Sequence, residues 1–204
     1  MTTLASYSDL VTAFTSDWPA RSDIAAAADT IIQLAEGVAN SKLRMRQMET
    51  TTTLVPVSNL CTLPSDYLEY KRVVEVASIR RPLSYITEDA ADQLYPDRAS
   101  GLACNFTILG TQLQAFPLSS NNIELTYYQK IPGLTSTNTT NWLLTAHPNF
   151  YLHACLLYVG EYIKDAGRVA TESQFLLSYI DLMNAVEARG KFGNAGVTLT
   201  GCTP

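Results

Sequence analysis

The residues that could do chemistry in this chain are few. There are two histidines, His147 and His153, and a Ser or Cys nucleophile would need one of them as its base. Six positions apart, they do not share a helical face, and no H-E-x-x-H occurs. His153 stands inside an apolar helical run and reads as a histidine satisfied in a core or an interface. Ser65 and Cys155 are the nearest nucleophile candidates by context, but no G-x-S-x-G elbow surrounds either. Gly190-Lys191 lacks the upstream glycine and the following Ser or Thr of a phosphate loop. Gly193-Asn194-Ala195-Gly196 follows a helix rather than a strand, so it is no dinucleotide loop. Glu88, Asp89 and Asp92 form the tightest acidic group. A metal-dependent nuclease would turn such carboxylates inward, whereas at the start of a short helix they complement its positive end and stay solvated. The four cysteines, Cys61, Cys104, Cys155 and Cys202, include no C-x-x-C pair and read as free thiols in a reducing compartment. The expectation is no catalytic residue, no cofactor and no metal site.

What remains must be carried by surface and assembly. The hydrophobic fraction, 47%, is that of a globular chain with a sizeable core, while the charged fraction, 16%, falls below the usual ~25%. A chain so poor in charge either exposes a bland polar surface, which its Thr, Ser and Asn residues allow, or covers itself with partners; the second favours an oligomer. The net charge of −5 opposes a phosphate-gripping DNA binder, which needs a basic stripe. It does not oppose DNA passing nearby, since an acidic wall repels phosphates. Met1-Thr2-Thr3 has no basic residue and no apolar stretch follows, so no signal peptide is expected. No apolar run approaches the ~20 residues of a membrane span.

The periodicities give the layout. Tyr7 to Thr15 predicts a short helix with Leu10, Val11 and Phe14 on its apolar side, ended by Trp18-Pro19. Ser22 or Asp23 caps a long helix to about Gln47, with the stripe Ile24, Ala28, Ile31, Ala35 and Val38. Lys42, Arg44 and Arg46 close it. They either complement the helix C-terminus or contact an acidic neighbour or a phosphate. Strands follow at Thr50 to Val57, Tyr70 to Ile79 and Pro82 to Ile86, then a short helix from Thr87 to Tyr95. A hairpin from Cys104 to Phe116 turns at Gly110-Thr111, and a last strand covers Ile123 to Gln129. A polar loop, Pro132 to Thr140, leads to Asn141, which can cap a first turn from Trp142. Pro148 suits the first position of the next helix, and His147, preceding it, is pushed out of the α region. That helix runs to the break at Asp165-Ala166-Gly167, and the last runs from Arg168 to about Gly190. Val169, Leu176, Ile180 and Met183 give the last helix one stripe; Phe175, Tyr179, Leu182 and Val186 give it a second. The second serves either another subunit or deep burial in one lobe.

The fold class is therefore α+β. A helical bundle is built from the N-terminal helices (1–47) and a C-terminal loop and hairpin (131–190). A strand-rich lobe is inserted at 48–130, and an extended arm occupies 191–204. Trp142 is expected to be a buried anchor between the strand-rich lobe and the hairpin, with His147 and Pro148 beside it, and the loop from Leu134 to Thr140 to be mobile in the free subunit or ordered only by a partner. In the arm, Phe192, Val197 and Leu199 stand out, and Val197-Thr198-Leu199-Thr200 alternates like a short strand. This is either a partner-docking segment or a frayed end.

Several segments resemble, in order, the head-to-tail adaptor (connector, or neck) proteins of tailed bacteriophages. Asn141 to Pro148 fits that family's Asn-Trp-Leu-Leu-x-x-x-Pro, followed by Tyr151-Leu152 and Lys164-Asp165. Leu43 to Glu49 fits Leu-Arg-x-Arg-x-Met-Glu, and Leu63 to Glu69 fits Leu-Pro-x-Asp-Tyr-Leu-Glu. Arg81-Pro82-Leu83 and the hairpin from Phe106 to Pro117 agree in order. The resemblance spans about residues 23–189. It implies a structural virion protein, assembled in the host cytoplasm as a ring of twelve copies beneath the portal. Such a ring extends the DNA channel and seats a tail or nozzle protein, without membrane contact. A tail-completion or stopper protein is the alternative, and a cryptic hydrolase or nuclease a more distant one.

Overall fold

The computed structural model describes residues 3–17 and 22–192 of the chain. In chain order come α1 (Tyr7–Thr12) with a π turn (Ala13–Asp17), a 3-10 segment (Ser22–Ala27), α2 (Ala28–Lys42) and a 3-10 turn (Arg46–Met48). Strands β1 (Glu49–Leu54), β2 (Leu60–Thr62), β3 (Tyr67–Val76), β4 (Arg80–Pro82) and β5 (Ser84–Tyr85) lead to α3 (Glu88–Leu94). Strands β6 (Asn105–Leu109), β7 (Gln112–Phe116) and β8 (Asn122–Gln129) precede α4 (Trp142–Ala146), α5 (Pro148–Tyr162) and α6 (Ala166–Phe192). The class is α+β. The chain forms two compact units, Gln47–Lys130 and the pair Met1–Arg46 with Ile131–Pro204.

The helical unit is built around α5, which packs against α2, α4, α6 and the π turn. Its sequence is apolar on every side: Phe150, Tyr151, Leu152, Ala154, Cys155, Leu156, Val159 and Gly160 are all buried. A helix without a polar face belongs in the middle of a bundle. Gly160 lets α6 come close, since a Cβ there would lie 3.1 Å from Val169 Cγ2. The break between α5 and α6 falls at Lys164, whose φ is 59°, one residue before the predicted Asp165-Ala166-Gly167.

Three helices differ in extent from the sequence reading, and the long helix expected from Ser22 or Asp23 opens as a 3-10 segment, Ser22–Ala27. α2 ends at Lys42 rather than near Gln47, because Leu43 turns extended at φ −101° and ψ 138°. From there burial alternates: Leu43 and Met45 are buried, while Arg44 and Arg46 are not. Helical spacing cannot place Leu43 and Met45 on one side, whereas an extended segment does. α6 continues past Gly190 to Phe192, so that glycine does not stop the helix. The first helix gives way to a π turn after Thr12, and Leu10 and Phe14 are both fully buried.

The strand unit holds two four-stranded sheets, ordered β1-β8-β3-β4 and β2-β7-β6-β5. β8 alternates cleanly, with Ile123, Leu125 and Tyr127 inward. They join Leu54, Val73, Leu83, Phe106 and Leu113 in one core. β6 and β7 form the predicted hairpin around Gly110, whose φ of 57° is comfortable for glycine. β2 was missing from the sequence reading. It is only three residues long and follows Ser58 and Asn59, both at positive φ, so no periodicity announces it.

Candidate functional site

The Asn141–Pro148 corner is the best-determined polar feature of the helical unit. Asn141 Oδ1 accepts from the Leu144 N–H at 2.9 Å and caps α4, while its Nδ2 donates to Pro132 O and to Tyr151 Oη. His147, at φ −136° and ψ 58°, is at once the last cap of α4 and the first of α5, with Pro148 in the first turn of α5. The Tyr151 hydroxyl donates to Glu36 Oε1 at 3.1 Å, and the same oxygen accepts the Leu134 N–H at 2.7 Å. The loop from Pro132 is therefore tied to α2 and α5 through a buried carboxylate. At its far end, Thr139 O accepts the Tyr7 N–H. Leu134 is buried at 4% exposure, while Thr135 to Thr140 are all exposed. Burial pushes the Glu36 carboxyl above its ordinary value, against the opposing pull of the Leu134 and Tyr151 hydrogen bonds.

Trp142 is only half-buried, and its indole Nε1 is enclosed without a hydrogen-bond partner. The residues that fill the corner are Leu143, Leu144, Phe150 and Tyr151, all at 0% exposure. The sequence reading does not single out Glu36, and it names Tyr151 only within the Tyr151-Leu152 segment of the resemblance. Glu36 sits between Ala35 and Ala39 on a helix whose stripe points inward, and that position was the available signal. In the strand unit, Glu75 was likewise missed. It is 1% exposed and accepts from the Ala103 N–H, Ser119 Oγ and Asn121 Nδ2. Burial raises its carboxyl, but these three donors and the nearby Arg81 outweigh it and hold the group below its ordinary value.

α6 buries Leu176, Ile180 and Met183 and leaves Phe175, Leu182 and Val186 at 41%, 57% and 57% exposure, with Tyr179 half-buried between them. Of its exposed residues from Thr171 to Ala188, Asp181 alone is charged. The two histidines border this face. His153 stacks 3.9 Å from the Phe175 ring and bonds Glu172 Oε2 at 2.6 Å; His147 Nδ1 lies 3.3 Å from Tyr179 Oη. Burial lowers the His147 pKa.

The basic trio does not cluster. Arg44 Nη1 donates to Asn40 O and Leu43 O and so completes the end of α2. The Arg46 backbone N–H and Nε both donate to Glu187 Oε1 on α6, and Lys42 stays exposed in the last turn of α2. Val197 and Leu199 lie outside the described residues, and Phe192 is described only as the last position of α6.

Thr87 caps α3 and Asp92 pairs with Arg98, while Glu88 and Asp89 are exposed. Among the described residues no set of three His, Cys, Asp or Glu could hold a metal, and no helix is long and apolar enough to cross a membrane. The helical unit leaves one helix face open and nearly free of charge. Among protein families, the SU10 adaptor protein family matches residues 5–198, and the chain belongs to that family. It is thus a structural phage adaptor, a component of the virion. No curated protein matches it.

Proposed function

We propose that this chain is a head-to-tail adaptor that assembles beneath the portal as a ring of twelve copies, extends the DNA channel and seats the tail or nozzle. The observation that carries this reading is the open apolar face of α6, on a chain whose family match leaves out only a few residues at each end. A helix face depleted of charge, with aromatic residues at its edge, is the composition of an interface core. Phe175, Tyr179, Leu182 and Val186 then form a contact between neighbouring copies. A head-to-tail contact that closes on itself makes a ring. The net charge of −5 suits a channel that lets DNA pass without holding it. Trp142, His147 and Pro148 set the angle between α4 and α5 and so carry the hairpin, and Lys42 remains the trio's one member open to a charged neighbour.

The test is electron microscopy and native mass spectrometry of the purified chain, alone and mixed with its portal. Closed rings seated on the portal are expected. A monomer that ignores the portal, or binding only at the far end of an assembled tail, would displace the reading towards a tail-completion or stopper role.

A further inference from the structure

The strand unit has four sheet edges, and three of them are blunt. β4 is three residues ending in Pro82, β2 is three residues, and β5 is two. β1 is different. It is six residues long, without proline, glycine or bulge, and it is hydrogen-bonded to β8 alone. Thr50, Thr52 and Leu54 stand opposite Tyr127, Leu125 and Ile123 on the core side, and Thr51 and Thr53 are exposed on the other. After Glu49, which pairs with Lys71, the strand carries no charge. Beyond it Val55 and Val57 stand 65% and 74% exposed. Natural proteins protect edges of this length with charge, proline or a cover, because a row of free backbone donors and acceptors templates another strand.

The sequence contains a matching segment. Residues 193–204 have no charged side chain, and Val197-Thr198-Leu199-Thr200 alternates β-branched or apolar residues with threonine. Residues 197–200 lie five to eight positions beyond Phe192, so they reach at most about 26 Å from it at ~3.3 Å each. A neutral strand beside a neutral, threonine-rich edge meets no charge repulsion, and Thr–Thr neighbours across strands are favourable. We infer that in the assembled ring residues 197–200 of one copy add as a fifth strand to the free edge of β1 in the next copy. This rests on the ring reading and names the contact that links copies beyond α6. Main-chain hydrogen bonds supply the affinity and Val197 and Leu199 the register, as in other strand additions.

Hydrogen exchange on the full chain tests this without substitutions. Among residues 50–53, the alternate amides that face away from β8 should slow by about tenfold or more on passing from subunit to ring, as newly bonded amides do. A second arm uses full-length chains carrying Cys104→Ser and Cys202→Ser. Thr51→Cys is placed in one population and Thr198→Cys or Thr200→Cys in another. Mixed assembly under oxidation should yield a cross-linked dimer, and Thr111→Cys at the β6–β7 turn should yield none. Rings that form with unchanged exchange at residues 50–53 and no cross-link overturn the strand addition and leave the ring reading standing. A cross-link found only when both cysteines share one chain overturns the exchange between copies. If no rings form at all, the proposed function falls first, and this inference with it.

Discussion

Asn141 uses every polar atom of its amide in the corner between α4 and α5. Asn141→Ala removes a helix cap and strands the Pro132 carbonyl, so a loss of about 2–3 kcal/mol is expected in denaturant unfolding. Trp142→Ala should cost less than Leu144→Ala, which empties a fully buried site and falls in the ~2–5 kcal/mol range. Two of the buried carboxylates, Glu36 and Glu75, should respond to pH in opposite directions. The folded Glu36 pKa is raised, so between the unfolded value and that raised value the folded state holds more protons and stability falls as pH rises. Glu36→Gln, which keeps an acceptor for Leu134 and Tyr151, is therefore expected to stabilise at neutral pH, with the gain vanishing as pH falls below the ordinary carboxylate range. The folded Glu75 pKa is lowered, so its contribution is present above the unfolded value and lost as pH falls through the folded one. Glu75→Gln should cost about 1–3 kcal/mol at neutral pH and less in acid. Chemical denaturation of both variants from pH 3 to pH 8 gives the two slopes. Thiol labelling offers a third check: Cys104 is exposed and should react fast, while burial raises the Cys61 pKa to about 11 and that of Cys155 further still, leaving both slow.

At the scale of the element, α5 and α6 are both helices but answer different demands. α5 is enclosed, so its small residues are packing decisions. Gly160→Ala should force Val169 outward and cost about 1 kcal/mol or more, read as a lowered melting temperature. α6 is half open, so its exposed apolar positions should tolerate charge in the isolated subunit. Leu182→Asp is expected to leave the melting temperature within about a degree or two and to abolish self-association in sedimentation. A large loss of melting temperature would instead assign Leu182 to the folding core of its own chain.

At the scale of the whole molecule, charge sets whether the chain can hold DNA. Fourteen basic residues stand against nineteen acidic ones, and Arg44 and Arg46 are engaged within their own unit. With acidic residues in excess there is little counterion release to drive binding. Duplex DNA should therefore pass a gel shift unretarded even at ~50 mM salt, in subunit and ring alike. Retardation that weakens steeply with salt would mean that assembly builds a basic lining from cations scattered in the monomer.

Local chemistry alone determined much of this. The residue before Pro148 must leave the α region, Asn141 must find the start of α4, and Gly110 must mark the turn of β6 and β7, because each is a property of one residue and its neighbours. The α+β class followed because the hydrophobic period changes from helical to alternating after Glu49 and back again after Gln129. Tertiary structure decided the rest. Leu43 and Met45 leave the helix because the core has room for both only on an extended chain. Glu36 and Glu75 become hubs because donors from distant segments, Leu134 and Tyr151 for one and Ala103, Ser119 and Asn121 for the other, converge on them. Tyr151 enters the corner because its hydroxyl meets Glu36, 115 positions away on α2. The free edge of β1 is a fact of strand order, which no local pattern encodes: pairing partners far apart in sequence are chosen by the core they bury together.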